Sequence, residues 1–327
     1  MKVIRDWRGF AEAGGKRGGV LSVGNFDGVH VGHAAMLSAG RAEATRRGVG
    51  FTIMTFDPHP GVVLGKGNRP PLITLDQKIE LLSAFGAEVL IVIQTTREFL
   101  GMEPEVFLRE VVTGGGGGAV GATVMVEGAT FTFGRGAKGN VRMLQERGAE
   151  FGIEVVVTPT REVVLSDLMV VNVSSSLVRW LIGQGRVADA AKCLGRAYAL
   201  RGKVVEGAKR GRTIGFPTAN VACEQLLPAA GIYGGWAKLA DGRVFKAATS
   251  VGTNPTFDGK ATTVEAFLLD FSGDLYGQVM EVGFERWVRE MYTFGGVEPL
   301  VRQMERDVAE VRGGKIGKMG ATGSIGG

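Results

Sequence analysis

Gly24-Asn25-Phe26-Asp27-Gly28-Val29-His30-Val31-Gly32-His33 is the stretch on which the reading of this chain turns. A short apolar run, Gly19 to Val23, precedes it and reads as a buried strand, and a helical pattern from Ala34 to Arg47 follows. The two histidines therefore sit where a strand turns into a helix. In an open α/β sheet that loop is where ligands bind, and the free N–H groups of a first helical turn favour an anion, typically phosphate. Two imidazoles flanking a bare glycine at such a terminus read as a triphosphate cradle, although Gly and His also occur in strand-to-helix turns that bind nothing.

Outward from that loop, the chain alternates extended apolar runs with helical patterns as far as Val157, which predicts βαβ units and a parallel sheet. Strands are expected at Gly19 to Val23, Phe51 to Phe56, Glu88 to Gln94, Ala119 to Val126 and Gly152 to Thr158. Helices are expected at Ala34 to Arg47, Leu75 to Phe85, Pro104 to Val112 and Asn140 to Arg147. Thr74 with Gln77 forms a capping box, and Pro104 suits a first helical position. The glycine run 114–118 has no Lys-Ser/Thr behind it and reads as a connector rather than a phosphate cradle. Gly134-x-Gly136-x-x-Gly139 matches the dinucleotide fingerprint, but it follows an aromatic pair, Phe131 and Phe133, instead of leaving a strand directly, so it reads as a decoy.

Val173 to Gly183 and Val187 to Leu194 read as helices, and after Tyr198 the texture changes. Short β-rich runs at Leu200 to Glu206, Ile232 to Leu239, Val244 to Val251, Thr263 to Phe271 and Val279 to Phe284 are separated by turn residues, which suggests a small antiparallel barrel. Glu298 to Val311 follows as an amphipathic helix with Leu300, Met304 and Val308 on one face. The division expected is residues 1–184 as an α/β nucleotide-binding domain, 185–198 as a helical junction, 199–312 as the barrel domain and 313–327 as a disordered Gly-rich tail.

Composition agrees with two globular domains. The 327 residues are 45% hydrophobic and 22% charged. The net charge of +5 is scattered, which suits phosphorylated small molecules better than nucleic acid. No apolar segment approaches the length needed to cross a bilayer, and Met1 to Phe10 lacks a signal core, so a cytoplasmic protein is expected. Cys193 and Cys223 have no metal-ligand spacing and read as reduced thiols. All three histidines fall in two short motifs, the third being His59 in Thr55-Phe56-Asp57-Pro58-His59-Pro60.

Further candidates follow from side-chain chemistry. Asp57 and His59 end a strand on the same sheet edge as the histidine loop, as substrate or metal-phosphate neighbours or simply as parts of a rigid Pro-bounded loop. Ser174-Ser175-Ser176-Leu177-Val178-Arg179 supplies hydroxyls and a guanidinium at a helix start, either to neutralise charge on a transferring phosphate or as an ordinary serine cap. In the second half, Gly207, Lys209, Arg210, Gly211, Arg212 and Gly215 form a basic, glycine-rich turn. Thr218 and Asn220, two apart on an extended segment, present oxygens on one side, where Mg²⁺ with nucleotide phosphates could take them. Glu265, within Val264 to Asp270, is either paired with a base or retained as a general base.

Together these motifs resemble the prokaryotic bifunctional riboflavin kinase/FAD synthetase family from about Val3 to Val311. Gly24 to His33, Thr55 to Pro60 and Ser174 to Arg179 look like the signatures of its adenylyltransferase domain, a Rossmann-like member of the His-x-Gly-His nucleotidyltransferases. Leu194-Gly195-Arg196-Ala197-Tyr198 resembles the family's junction. Gly207 to Asn220, Leu227 to Tyr233, Ser250 to Phe257, Val264 to Asp270, Leu275 to Gly277 and Val288 to Phe294 follow its kinase domain in order.

The resemblance implies FAD synthesis from riboflavin by way of FMN, with ATP and Mg²⁺ and without nucleic acid or membrane, in a monomer or weak homo-oligomer. It implies that Gly24, Asn25, Phe26, Asp27, Gly28, His30, Gly32, His33, Ser174, Ser175, Ser176 and Arg179 handle ATP in adenylyl transfer to FMN, with Asp57, His59 and Thr130 beside the flavin or phosphates. In the kinase it implies ATP at Gly207, Lys209, Arg212, Gly215, Pro217, Thr218 and Asn220, Mg²⁺ on Thr218 and Asn220, Glu265 as base, and flavin at Arg289 and Phe294. Two positions depart from the family pattern. Thr130 stands where Asn or Asp usually precedes Phe-x-Phe-Gly, after an unusual Glu127, and Asn140 stands where an Asp is common. Both bear on the second reaction, so a riboflavin kinase with a weakened or altered N-terminal activity is the alternative expectation.

Overall fold

The apolar runs of the first half form the parallel strands that their β-branched composition favours. The computed structural model describes residues 1–65, 67, 69–114, 120–207, 210–253 and 262–315. In chain order its first half contains β1 (Lys2–Ile4), β2 (Val20–Val23), α1 (Val31–Arg47), β3 (Phe51–Asp57), α2 (Pro60–Val63), α3 (Leu75–Ser83), β4 (Val89–Gln94), α4 (Arg97–Leu100) and α5 (Pro104–Val106). There follow β5 (Val124–Gly128), β6 (Thr132–Phe133), β7 (Gly139–Asn140), α6 (Val141–Arg147), β8 (Glu154–Thr158), β9 (Glu162–Val164), β10 (Val170–Asn172), α7 (Ser175–Gly183) and α8 (Val187–Leu194). The second half holds β11 (Tyr198–Val205), α9 (Arg210–Thr213), β12 (Ala219–Ala222), β13 (Gly231–Leu239), β14 (Val244–Thr253), β15 (Thr262–Leu268), β16 (Val279–Arg289) and α10 (Val297–Gly313).

Six strands make a parallel sheet in the order β1-β4-β3-β2-β5-β8. The chain moves outward through β3 and β4 on one side of β2, then returns to β5 on the other. The gap between β2 and β5 is therefore the topological switch point, where an open α/β sheet binds its ligand. Here the two strands pair only at Val20↔Val124 and Leu21↔Met125. Beyond that they part, and side chains take over: Ser22 Oγ donates to Val126 O at 2.8 Å, and the Val23 N–H donates to Glu127 Oε1 at 2.8 Å.

The second half closes into a barrel in the order β11-β12-β15-β14-β13-β16, antiparallel throughout, with β16 sealing against β11. Its interior (Tyr198, Tyr233, Val251, Val282, Phe284) is continuous with the buried faces of α7 (Val178, Leu181, Ile182) and α8 (Val187, Ala190, Cys193, Leu194). Those helical residues recur at three- and four-residue intervals, so each helix turns one apolar stripe into this shared core.

Several expectations are corrected in detail. β1 is an added edge strand, and β12 is a full strand between β11 and β15. The helix expected from Pro104 to Val112 widens into a π-helix over Phe107–Thr113, which turns Phe107, Leu108, Val111 and Val112 into the core. The strand expected from Ala119 begins only at Val124, because Val120 and Ala122 donate instead to Val111 O and Val112 O. Gly134 to Gly139 shapes the small β6–β7 hairpin, as befits a decoy. Most of the five-glycine run, Lys209, and the tail from residue 316 lie outside the described residues, while α10 runs on to Gly313.

Glu127 is fully buried at the point where β2 and β5 part, and its Oε2 has no partner among the described residues. Burial pushes its carboxyl well above the usual carboxylate range, against the weaker pull of the Val23 N–H. The folded state thus holds a proton that the unfolded chain releases near its ordinary 4.5, so stability falls as pH rises above that value. Thermal melts from pH 5 to 8 are expected to show the wild-type Tm dropping relative to Glu127→Gln. Parallel curves for the two proteins would overturn this.

Candidate active site

The first site is built on the loop after β2. Phe26 (φ 47), Gly28 (φ 85) and Val29 (φ 40) all adopt left-handed backbone, a costly conformation for Phe and more so for a β-branched residue. The loop is held in that shape by its neighbours. Asp27 Oδ1 accepts the Leu72 N–H at 2.9 Å, Asp27 Oδ2 pairs with Arg179, and Asp27 O accepts from Ser175 Oγ at 2.8 Å. Arg179 also donates to Pro70 O at 2.6 Å.

His30 caps α1, its Nδ1 accepting the His33 N–H at 3.2 Å. That bond leaves the imidazole proton on Nε2, as a donor. Burial pulls His30 down to about 4, with Asp27 opposing, and burial together with His30 and Lys78 holds His33 well below its ordinary 6.5. The two rings stack at 3.6 Å, and His33 Nδ1 is buried without a partner among the described residues. His59 caps α2, accepting the Gly61 N–H at 2.9 Å, and burial lowers it too. At neutral pH the loop therefore offers uncharged imidazole donors beside the free N–H groups of a 17-residue helix.

The structure brings His30, His33, Asp27, Ser175 and Arg179 together around the loop. Ser174 serves as the N-cap of α7 through the Leu177 N–H at 3.1 Å, and Ser176 is exposed. Asp57 lies 3.9 Å from Arg5, Thr130 is exposed, and Asn140 caps α6 through the Met143 N–H at 2.9 Å. Sequence reasoning missed Lys78. It is buried on α3, donates to Phe56 O at 3.3 Å, and lies within the field of Asp27 and Asp57. The available signal was a lysine one turn from Leu75 and Leu82 on the buried face.

The second site lies in the barrel. Asn220 and Glu265 are register partners on β12 and β15, and Thr218 Oγ1 donates to Glu265 Oε2 at 3.3 Å. Gly207 lets the backbone approach Asn220 closely: a Cβ on it would lie 2.2 Å from Asn220 Nδ2 and displace that amide. A cavity of about 250 Å³ opens beside them, lined by Thr218, Glu265, Phe216, Phe267, Arg289 and Phe294 among others. Arg289 forms a two-pronged pair with the buried Asp307 of α10, at 2.7 to 3.1 Å, with the rings of Tyr292 and Phe294 5.2 and 5.8 Å from its guanidinium. Leu300, Met304 and Val308, the expected apolar face of the last helix, line the same cavity. Arg212, Gly215 and Pro217 are exposed at its approach.

A parallel α/β domain with an imidazole-bearing anion site, joined to a closed barrel with Thr, Asn and Glu around an aromatic cavity, defines a two-site transferase of phosphorylated substrates. Two family models place it more closely: FAD synthetase matches residues 13–171, and riboflavin kinase matches residues 194–313. Bifunctional riboflavin kinase/FMN adenylyltransferases are similar along nearly their whole length. The Bacillus subtilis protein is 33% identical over 89% of this chain and 90% of its own, and the Escherichia coli protein 31% over 95% and 97%. The chain belongs to this bifunctional family. It phosphorylates riboflavin to FMN and transfers an adenylyl group from ATP to FMN, giving FAD, and the reading in which the N-terminal activity has decayed is not favoured.

A solved Streptococcus pneumoniae chain named as a macrolide-efflux protein has the same fold, with a TM-score of 0.81 and 28% identity over 96% of this chain and 99% of its own. Among the described residues no helix is long and apolar enough to cross a membrane.

His30 gives a pH signature. Its proton affinity is depressed in the fold, so acidification below 6.5 protonates the unfolded chain first and stability falls toward pH 4. The loss expected at pH 5 is about 2 kcal/mol. Between pH 7.5 and 5 the Tm of the wild type should drop more than that of His30→Asn, which keeps the cap and cannot titrate. An equal drop in both would show that His30 does not resist protonation.

Proposed function

We propose that the loop after β2 carries the adenylyl transfer and the β12–β15 pair the phosphorylation. The observation that carries this reading is that one chain holds two separate constellations: an Nε2–H donor at the head of α1, and a hydroxyl hydrogen-bonded to a carboxylate beside an aromatic cavity.

In the barrel, riboflavin lies against Phe267, Phe294 and Arg289 with its ribityl 5'-hydroxyl toward Glu265. Glu265 takes the hydroxyl proton as the oxygen attacks the γ-phosphorus of ATP and ADP leaves. The Gly207 to Gly215 turn holds the nucleotide phosphates. Thr218 and Asn220 supply a hydroxyl and an amide oxygen, the hard donors that Mg²⁺ takes. Substrate phosphates and water would complete the shell of an ion held there. When bound, Mg²⁺ neutralises charge on those phosphates.

In the first domain, an FMN phosphate oxygen attacks the α-phosphorus of ATP and pyrophosphate leaves. This step needs little covalent chemistry from the protein, only placement and charge neutralisation. His30 and His33 donate to phosphate oxygens, the α1 N–H groups add their partial positive charge, and Arg179 holds Asp27 and the loop while facing the same phosphates. Asp57, His59 and Thr130 border the flavin. The protein acts in the cytoplasm, where ATP and reduced thiols prevail, as a monomer or weak homo-oligomer with both sites in each chain.

Purified protein incubated with riboflavin, ATP and Mg²⁺, with flavins then separated, tests the assignment. Glu265→Gln should lower FMN formation by about 10²- to 10⁴-fold and leave FMN-to-FAD conversion intact. His30→Ala should lower the second step by about 10²-fold and leave the first. Loss of both activities in either folded variant would overturn the two-site assignment.

A further inference from the structure

Arg196 lies at the start of the riboflavin kinase match and outside the FAD synthetase match, yet its guanidinium is spent on the histidine loop. Its Nη2 donates to Gly28 O at 2.6 Å, and its Nη1 donates to Val29 O at 3.1 Å and to Leu194 O at 3.2 Å. Gly28 and Val29 are two of the three left-handed residues in the loop, so the fork holds the carbonyls of its most strained turn. The neighbouring residues dock on the same loop. A Cβ on Gly28 would lie 3.4 Å from Leu194 Cδ2, and one on Gly195 would lie 3.3 Å from Val31 Cγ1.

Charge points the same way. The carboxylate that bears on Arg196 is Glu281 of β16, itself bonded to Arg201 at 3.0 Å and Gln77 at 2.9 Å. Arg196 makes no ion pair of its own among the described residues. Its positive charge is instead felt at His30, the first residue of the proposed phosphate site. Burial pulls the guanidinium down to about 10, still charged at neutral pH. A partly desolvated cation bonded only to neutral carbonyls suits a place where anionic phosphates arrive.

We infer that Leu194-Gly195-Arg196 is a working part of the adenylyltransferase site, with Arg196 a positioning residue that fixes the Gly28–Val29 turn and adds positive potential beneath the ATP phosphates. The inference rests on the assignment of that loop to adenylyl transfer. A residue within the kinase match thereby completes the neighbouring site, while the kinase chemistry itself makes no use of it.

The test uses the full-length chain and follows both reactions in one preparation, with riboflavin phosphorylation as the internal measure of folding. Arg196→Ala is expected to reduce kcat/KM for FMN-to-FAD conversion about 100-fold. The loss should fall on kcat and on KM for ATP, with KM for FMN unchanged and riboflavin phosphorylation within twofold of wild type. Arg196→Lys keeps the charge without the fork and should recover part of that loss. The inference is overturned if both variants convert FMN within threefold of wild type while His30→Ala does not. It is equally overturned if Arg196→Lys, purified as a folded chain, loses both activities in parallel. If His30→Ala itself converts FMN normally, it is the assignment of the loop that fails.

Discussion

One buried carboxylate organises the first site. Asp27 is 5% exposed and joins three segments distant in sequence: its own loop, the 70–72 stretch and α7. A charge so placed would be prohibitive to bury alone. The guanidinium of Arg179 and the Leu72 N–H satisfy it, and Ser175 ties its carbonyl as well. These bonds brace a loop that keeps three left-handed residues in a row of four. His30, His59 and Lys78 all feel the same carboxylate, which opposes the larger downward pull of burial on each of them. Breaking such a buried pair from one side leaves an uncompensated charge, which is why Asp27 and Arg179 act as a unit.

The barrel site is organised differently. Asn220 and Glu265 sit on adjacent strands, where backbone pairing sets their spacing, and a separate side-chain pair holds the roof. That roof is α10, pinned by the Arg289–Asp307 pair, which lies on the barrel wall and is almost out of water. Arg289 thereby spends its planar fork on a neighbouring carboxylate and turns its remaining face to Tyr292 and Phe294, leaving an aromatic, weakly polar cavity suited to a flat ring system.

Much of this was legible in the residues themselves. The run before Gly24 and the pattern after His33 mark a strand and a helix, and Val187 to Leu194 is helical over the whole expected length. The expected strand around Glu265 is present as β15, and Thr218 and Asn220 fall at the head of β12, Thr218 just before it. What escaped was long-range. Lys2–Ile4 is too short and exposed to show periodicity, and it is a strand only because β4 offers it an edge. Lys78 looks like any helical lysine until the opposing wall is known. Arg196 reads as part of a junction, since its partner Gly28 stands 168 positions away. Glu127 is visible as an odd residue, but that it plugs the gap between two parting strands depends on the sheet order.

The same distinction bears on how two sites share one chain. α7 and α8 follow the sheet in sequence but turn their apolar stripes into the core of the barrel half, α8 against β11 and β16 and α7 against α8, so the helix that carries Ser175 and Arg179 belongs to that core. Gln77 and Glu80 of α3 reach across to Glu281 and Arg201 on the barrel, the latter through a two-pronged pair at 2.6 to 2.7 Å. The sheet supplies the adenylyltransferase loop, while the elements that brace the loop are anchored on the kinase. The barrel site draws its residues from the second half alone: Glu265 and Phe267 from β15, Phe216 and Thr218 from the segment before β12, and Phe294 from the segment between β16 and α10. Coupling between the halves therefore runs through α7, whose buried face shares the barrel core while Ser175 and Arg179 hold Asp27, so that a change at either end bears on the other.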